Sequence, residues 1–154
     1  MTIANSVVEY LQKNYVSYSV VGHPHSSNTR QTTDAAHVPP EKVAKAVILK
    51  DTKGYLMAVV AGDKYVDVRA LSARLRRPLE VAQESTIAAV FRDCEPGAIP
   101  PLGPAYNMET IVDNGLVGQA DIYFEGGDHE ELVHLDGESF LRLLKDAKHA
   151  EFSH

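Results

Sequence analysis

The segment Val43 to Lys50, VAKAVILK, is apolar on both faces at period two, with Val43, Val47 and Leu49 on one side and Ala44, Ala46 and Ile48 on the other. That pattern predicts a strand in the middle of a sheet. It carries one misfit: Lys45 falls on the first face between its two valines. An ammonium there loses hydration unless it meets an anion or a water-filled cleft. Spacing leaves two readings open, a side chain that snorkels at the sheet edge and a cleft lysine that meets an anionic ligand.

The rest of the pattern can be read around this strand. Residues 2 to 14 suit an amphipathic helix with Ile3, Val7, Val8, Tyr10 and Leu11 as its apolar stripe, and Tyr15 to Val21 alternates as a first strand. Ser27, Asn28 or Thr29 caps a short helix running to about His37, and Pro39-Pro40 ends that segment. Asp51-Thr52-Lys53-Gly54 is a turn between two apolar runs, so Val43 to Lys50 and Tyr55 to Ala61 should pair as an antiparallel hairpin. Asp67 caps a helix through Arg76 that turns Val68, Leu71 and Leu75 inward, and a second short helix fits Glu84 to Phe91. Farther on, Thr110 to Val112 reads as a strand and Asp113-Asn114-Gly115 as a turn. Asp121 to Glu125 and Glu131 to Leu135 form a hairpin across Gly126-Gly127-Asp128-His129, and Ser139 to Lys148 reads as a closing helix.

One stretch fits neither period. Arg92 to Tyr106, RDCEPGAIPPLGPAY, is too rich in Pro and Gly for regular structure and too long to be only a connector. Loops of this kind are often functional. Gly97 allows a backbone to approach a ligand closely, while Pro100 and Pro101 remove two donors and stiffen the segment. Such a loop can hold a carbonyl and a water through its remaining N–H and C=O groups without any side-chain nucleophile. A purely structural loop remains the other reading.

Composition narrows the class. The 154 residues are 44% apolar and 23% charged, which predicts one globular domain over residues 1 to 154 with a substantial core. No run is long and apolar enough for a membrane span, and the N-terminal segment lacks the basic start and apolar block of a secretory signal, so a cytoplasmic protein is expected. The single cysteine, Cys94, has no partner for a disulfide or a CxxC metal site. The net charge of −6 argues against indiscriminate nucleic-acid binding. Yet residues 41 to 80 hold nine Lys or Arg against five Asp or Glu, a basic block including Arg74, Arg76 and Arg77 that either steers one polyanion or is a solvated helix face.

Histidine offers little by spacing. His23 and His25 flank a proline in a turn, and His129 lies in a Gly-Gly hairpin tip that is either solvated or turned toward a cleft. There is no HExxH, nucleophile elbow, P-loop or dinucleotide fingerprint.

Lys45 in a strand followed by a hairpin, then GAIPPLG, then Asp113-Asn114-Gly115-Leu116, then Gly127-Asp128-His129, resembles the YbaK-type aminoacyl-tRNA deacylases. These include the editing insertion domain of bacterial prolyl-tRNA synthetases. The resemblance runs in order over roughly residues 20 to 145, and its most specific part is Lys45 with Gly-x-x-x-Pro from Gly97 to Pro101. It implies an α/β (α+β) fold, a curved, mixed and mostly antiparallel sheet with helices packed around it.

The implied reaction is hydrolysis of mischarged aminoacyl-tRNA in trans, without metal or cofactor. Lys45 would engage the terminal nucleotide, Gly97 and Pro101 would position the ester carbonyl and water, and Ala98, Ile99, Pro100, Gly103 and His129 would contact substrate. Ala46 departs from the polar residue that relatives usually carry after the lysine, and Pro104-Ala105-Tyr106-Asn107 replaces a more apolar continuation. Both bear on which amino acid fits. Aminoacyl-tRNA is the implied partner, a synthetase is a further one, and the oligomeric state is not specified. The alternative of another class is a non-catalytic module of the same fold that binds a nucleotide or a synthetase.

Overall fold

The computed structural model describes residues 3–154. Its strands are β1 (Ser19–Gly22), β2 (Val43–Asp51), β3 (Gly54–Ala61), β4 (Glu80–Val81), β5 (Glu109–Asp113), β6 (Asp121–Glu125), β7 (Glu131–Asp136) and β8 (Lys148–Ala150). Its helices are α1 (Asn5–Lys13), α2 (Thr29–Ala36), α3 (Val68–Leu75), α4 (Glu84–Val90) and α5 (Gly137–Leu143). The eight strands form one mixed sheet in the order β1-β7-β6-β2-β3-β5-β8, with the short β4 pairing on β2.

The double-faced apolar run takes the central place expected of it. β2 pairs along its length with β3, from Ala44 opposite Ala61 to Asp51 opposite Gly54. On its other side it meets β6 in parallel for only two rungs, Val43 with Tyr123 and Ala44 with Phe124. Beyond those rungs the two strands part, and the next residues are Lys45 and Glu125. Farther along the same edge, β4 pairs at Leu49 and Lys50.

Alternation divides the core. Ala44, Ile48, Met57 and Val59 pack with α1 and α5 through Val7, Leu11, Phe140 and Leu143. Leu49, Leu56, Ala58 and Val60 pack on the opposite side with Leu71, Leu79 and Phe152. Each fully buried Leu or Phe of this kind contributes roughly 1.5–3 kcal/mol relative to exposure.

Local chemistry explains most boundaries. Asn28 accepts from Gln31 N at 2.9 Å, Asp67 from Ala70 N at 2.9 Å and Asp136 from Ser139 N at 2.8 Å, each capping the helix that follows. Of the helix predicted over residues 2 to 14, Thr2 lies outside the described residues, and the helix itself begins at Asn5. The first strand is shorter than predicted, because Tyr15 takes a positive φ of 55° and the chain pairs only from Ser19.

Two expectations are corrected. The closing helix stops at Leu143, and Lys148–Ala150 instead adds a parallel edge strand to β5. Its pattern is too short and polar to announce a strand, and its stability comes from the partner. The second correction concerns the basic block: Arg77 is not a solvated surface cation. Its guanidinium donates to both oxygens of Asp51 at 2.7 and 3.1 Å and to Glu109 at 2.9 Å.

The Asp113-Asn114-Gly115-Leu116 segment has a structural task. Buried Asp113 accepts from Gly115 N at 3.0 Å, Phe152 N at 2.9 Å and the Ser153 hydroxyl at 2.8 Å, so it ties residues 152 and 153 to the end of β5.

Candidate active site

A cleft of about 210 Å³ opens on the face of β2 that carries Ala46 and Ile48. β4 and α4 add Val81, Ile87 and Ala88, and the loop closes the other side with Glu95, Pro96, Gly97 and Ile99. The walls are apolar apart from two carboxylates, Glu84 and Glu95. A second lobe shares Glu84, Glu95, Pro96 and Gly97 and adds His25, Ser26, Ser27 and His129. Gly97 therefore stands where the two lobes meet.

The loop is a fixed wall. Gly97 has φ +80°, a region that residues with a side chain rarely adopt. A Cβ there would also stand 3.3 Å from the Ser27 carbonyl oxygen and 3.4 Å from the His129 ring. Glu95 N–H donates to Gly127 O at 2.7 Å and Ala98 N–H to Glu95 O at 3.1 Å, whereas the amides of Gly97 and Ile99 find no acceptor among the described residues. Ala98, Pro100 and Pro101 are buried and support the loop rather than line the cleft. Gly103 begins a single turn of 3-10 helix and packs so closely on Thr110 and the Met108 carbonyl that no side chain fits.

His129, drawn at sequence level as a hairpin tip, is only 3% exposed. Its Nε2 donates to the Pro96 carbonyl, which fixes that nitrogen as the protonated one because a carbonyl only accepts. Nδ1 lies 3.8 Å from Oε2 of Glu125. His25 meets the same ring edge-on, with centroids 5.8 Å apart, and pairs with Glu95 at 3.1 Å. Glu125 and Asp128 are also buried, at 5% and 4% exposure. Both carboxyl oxygens of Glu125, Oδ2 of Asp128, Nδ1 of His129 and Nε2 of His23 are buried without a hydrogen-bond partner in the protein. Burial is the main cause that raises the Glu125 pKa above the ordinary carboxyl value, opposed first by the Thr32 hydroxyl and then by His129 and His23.

Lys45 lies on the other face of β2 and does not line either lobe. Its ammonium donates to Gly62 O at 3.4 Å and sits 4.8 Å from the ring centroid of Tyr65, a residue 69% exposed. Burial lowers its pKa below the usual lysine value, and the Asp63 charge opposes that. Segment 27–29 connects the lysine to the loop, since Gly62 abuts the Thr29 methyl while Ser27 abuts Gly97. No carboxylate lies within ion-pair distance of Lys45 among the described residues, so its positive charge is available to a ligand.

Burial pushes the Cys94 thiol up to about 12, so it stays protonated at neutral pH and is no nucleophile. Among the described residues no cluster of three His, Cys, Asp or Glu side chains is arranged to hold a metal ion. No described helix is long and apolar enough to cross a membrane.

Sequence reasoning missed Glu84, Glu95 and Glu125. Glu95 directly precedes Pro96-Gly97, the one local signal available, whereas Glu125 reads as the end of an ordinary hairpin strand.

The model of the aminoacyl-tRNA editing domain family matches residues 23–143. None of the curated proteins compared by sequence matches the chain. Among solved structures, the hypothetical protein APE2540 superposes with a TM-score of 0.85 at 18% identity, over 97% of this chain and all of that one. A protein proposed to be a trans-editing enzyme for prolyl tRNA synthetase gives 0.83 at 20% identity, over 99% of both chains. A Marinobacter aquaeolei VT8 protein, proposed to act in signal transduction, gives 0.80 at 21% identity over 99% of this chain but 31% of its own. These likenesses show a shared fold.

Proposed function

Starting from a chain that belongs to the aminoacyl-tRNA editing domain family, we propose that this protein is a cytoplasmic deacylase that hydrolyses the ester of a mischarged tRNA in trans. The observation that carries this reading is the Gly97 loop: a positive-φ glycine and two uncommitted amides beside an apolar cleft with two carboxylates.

In this reading the apolar cleft takes the side chain of the aminoacyl group, and Glu84 and Glu95 face its α-ammonium. Gly97 and Ile99 offer N–H groups to the ester carbonyl, where negative charge develops as water attacks. Gly97 has no Cβ to obstruct that approach. Pro101 and the buried Ala98 and Pro100 hold the loop at a fixed distance from β2. Lys45 takes the terminal nucleotide, with its ammonium on a phosphate or ribose hydroxyl. The side chains lining the cleft include no activated nucleophile, so the attacking group is water, assisted by loop carbonyls and the substrate's own ribose hydroxyl. Discrimination by cleft size alone is modest, because one methylene is worth about 1–3 kcal/mol. Residues 23–143 would act within a single domain spanning 1–154, with a synthetase as a further partner that delivers tRNA.

Ester loss from a panel of aminoacylated tRNAs tests the reading. Turnover on at least one member is expected. Absence of turnover on all of them, together with salt-sensitive tRNA binding, would favour a non-catalytic binding module of the same fold.

A further inference from the structure

Tyr65 is a large ring that the fold holds in place without covering. It is mostly exposed, yet both of its backbone groups are committed: Tyr65 N–H donates to His154 O at 2.8 Å, and His154 N–H donates to Tyr65 O at 2.9 Å. Val66 then bridges to Ser153. A lone exposed apolar residue needs no explanation. Tyr65 differs because the Lys45 ammonium lies 4.8 Å from its ring centroid, and that ammonium has no carboxylate within ion-pair distance among the described residues. Lys45 covers one side of the ring, and the exposure of the residue leaves the other side open. The position is also continuous with the Gly97 loop. A Cβ on Gly97 would meet the Ser27 carbonyl, one on Gly62 would meet Thr29, Gly62 O accepts from Lys45, and Asp63-Lys64 lead directly from Gly62 into Tyr65.

We propose that Tyr65 is a stacking platform for the unpaired terminal base of the tRNA, beside the Lys45 ammonium that meets the sugar or phosphate of the same nucleotide. A nucleotide joins a flat π-surface to an anion in one unit, and an open aromatic face next to a cation is complementary to both. The terminal base adjoins the aminoacylated ribose. An ester at Gly97 with Lys45 on its nucleotide therefore brings this base, rather than one farther along the strand, to the ring. Because the backbone of Tyr65 is fixed at both groups, little ordering is lost when a base arrives. Tyr65 touches no reacting atom, so it acts on binding and not on the chemical step. The inference rests on the deacylase reading for the identity of the RNA.

Two unacylated RNA minihelices test this, one with an intact single-stranded 3′ end and one lacking only its terminal base. Their affinities are measured by fluorescence anisotropy for the unaltered protein, Tyr65→Ala and Tyr65→Phe. Removing the base should weaken binding to the unaltered protein about fivefold to a hundredfold, the range of one stacked base. Tyr65→Ala should lose a similar factor on the intact RNA and bind the two RNAs equally. Tyr65→Phe keeps the ring and should behave as the unaltered protein does. Both variants should melt at the unaltered temperature, because the side chain is mostly exposed and the hydrogen bonds to His154 use only backbone atoms.

On an aminoacylated tRNA that the protein hydrolyses, Tyr65→Ala should raise KM by a similar factor and leave kcat nearly unchanged, the mark of lost uniform binding. The inference is overturned if the unaltered protein binds the two RNAs equally or binds neither, if Tyr65→Ala still distinguishes them, or if Tyr65→Phe loses as much as Tyr65→Ala. Equal binding would leave the ring as a contact for a protein partner, and the deacylase reading would still stand on turnover. Should the unaltered protein hydrolyse no member of the panel, the deacylase reading fails, and the two minihelices still decide whether Tyr65 stacks a base.

Discussion

The two ends of β2 both gather buried charge, and they treat it in opposite ways. At the Asp51 end, Arg77 spends its guanidinium on Asp51 and Glu109, and Asp51 also accepts from the amides of Lys53 and Gly54 at 2.9 and 3.2 Å. Each guanidinium nitrogen has an acceptor, and the group ties the β2–β3 turn to the end of α3 and to β5. At the Lys45 end, Glu125 and His129 keep unpaired atoms, and Lys45 has only a carbonyl and an exposed ring. The first end has the form of a fastening. The second retains uncommitted polar capacity, as expected where a site gives up local satisfaction for function.

The contrast breaks most decisively at Lys45. Lys45→Ala should abolish detectable ester hydrolysis, roughly a hundredfold loss or more, with an unchanged melting temperature, because no ion pair is lost. Lys45→Arg should rescue poorly, since a planar fork does not replace a compact ammonium. Single-turnover assays beside thermal melts check this. An alanine variant that melts much earlier yet keeps its rate would make the lysine structural.

Gly97→Ala comes next. The positive φ and the close Ser27 and His129 neighbours together displace the loop, so turnover should fall roughly tenfold or more while tRNA affinity changes little. Equal losses in stability and activity would mean that the loop is only scaffold.

The fastened end should answer in the opposite currency. Arg77→Met should leave single-turnover rates unaltered and lower the melting temperature by roughly 5 °C. A loss of rate without a loss of stability would undo the division between the two ends.

Acid sharpens the same comparison. Arg77 first, and then the turn amides, hold the Asp51 carboxyl down to about 2 from an ordinary 3.8. Its contribution to stability is therefore complete above about pH 4 and is lost as pH falls toward 2. Glu125 has the opposite sign, because its raised pKa favours the fold at low pH and withdraws that support as pH rises past the ordinary carboxyl value. Acid unfolding curves of Asp51→Asn should thus be flatter between pH 4 and 2 than those of the unaltered protein.

The smallest effect concerns the surface. Neutralising Arg74 and Arg76, which are both exposed, should weaken tRNA binding about severalfold and flatten its salt slope without affecting stability. Unchanged affinity and slope would mean a solvated helix face.

How much of this was legible depends on how local the cause is. The β2–β3 hairpin, the α3 cap at Asp67 and the hairpin across Gly126 to His129 follow from periodicity and turn chemistry within a few residues. Lys45 and Gly97 stand out as a misfit and as a glycine in a stiff loop, and resemblance to a family supplies the roles proposed for them. By contrast, β8 exists because β5 offers an edge, and β4 because β2 does. Arg77 reads as one more cation until Asp51 and Glu109 converge on it from other strands. Glu125, between aromatic strand residues and two glycines, resembles any hairpin acid until Thr32 of α2, His23 and His129 gather around it. Burial imposed by a distant segment leaves no periodic trace.

The two-rung junction of β2 with β6 has a consequence for motion. Strands β1, β7 and β6 pair in one ladder, and β2, β3, β5 and β8 in another, with Val43 and Ala44 as their direct rungs to Tyr123 and Phe124. Free energies of local opening vary across a protein, and short junctions lie at the low end. Hydrogen exchange at this junction should therefore outpace exchange in the middle of β3. Each such opening would shift Lys45 against the β6 edge and strain the single core that side chains of both ladders share. Sustained turnover would then depend on how often this junction breathes, well below the temperature at which the protein melts.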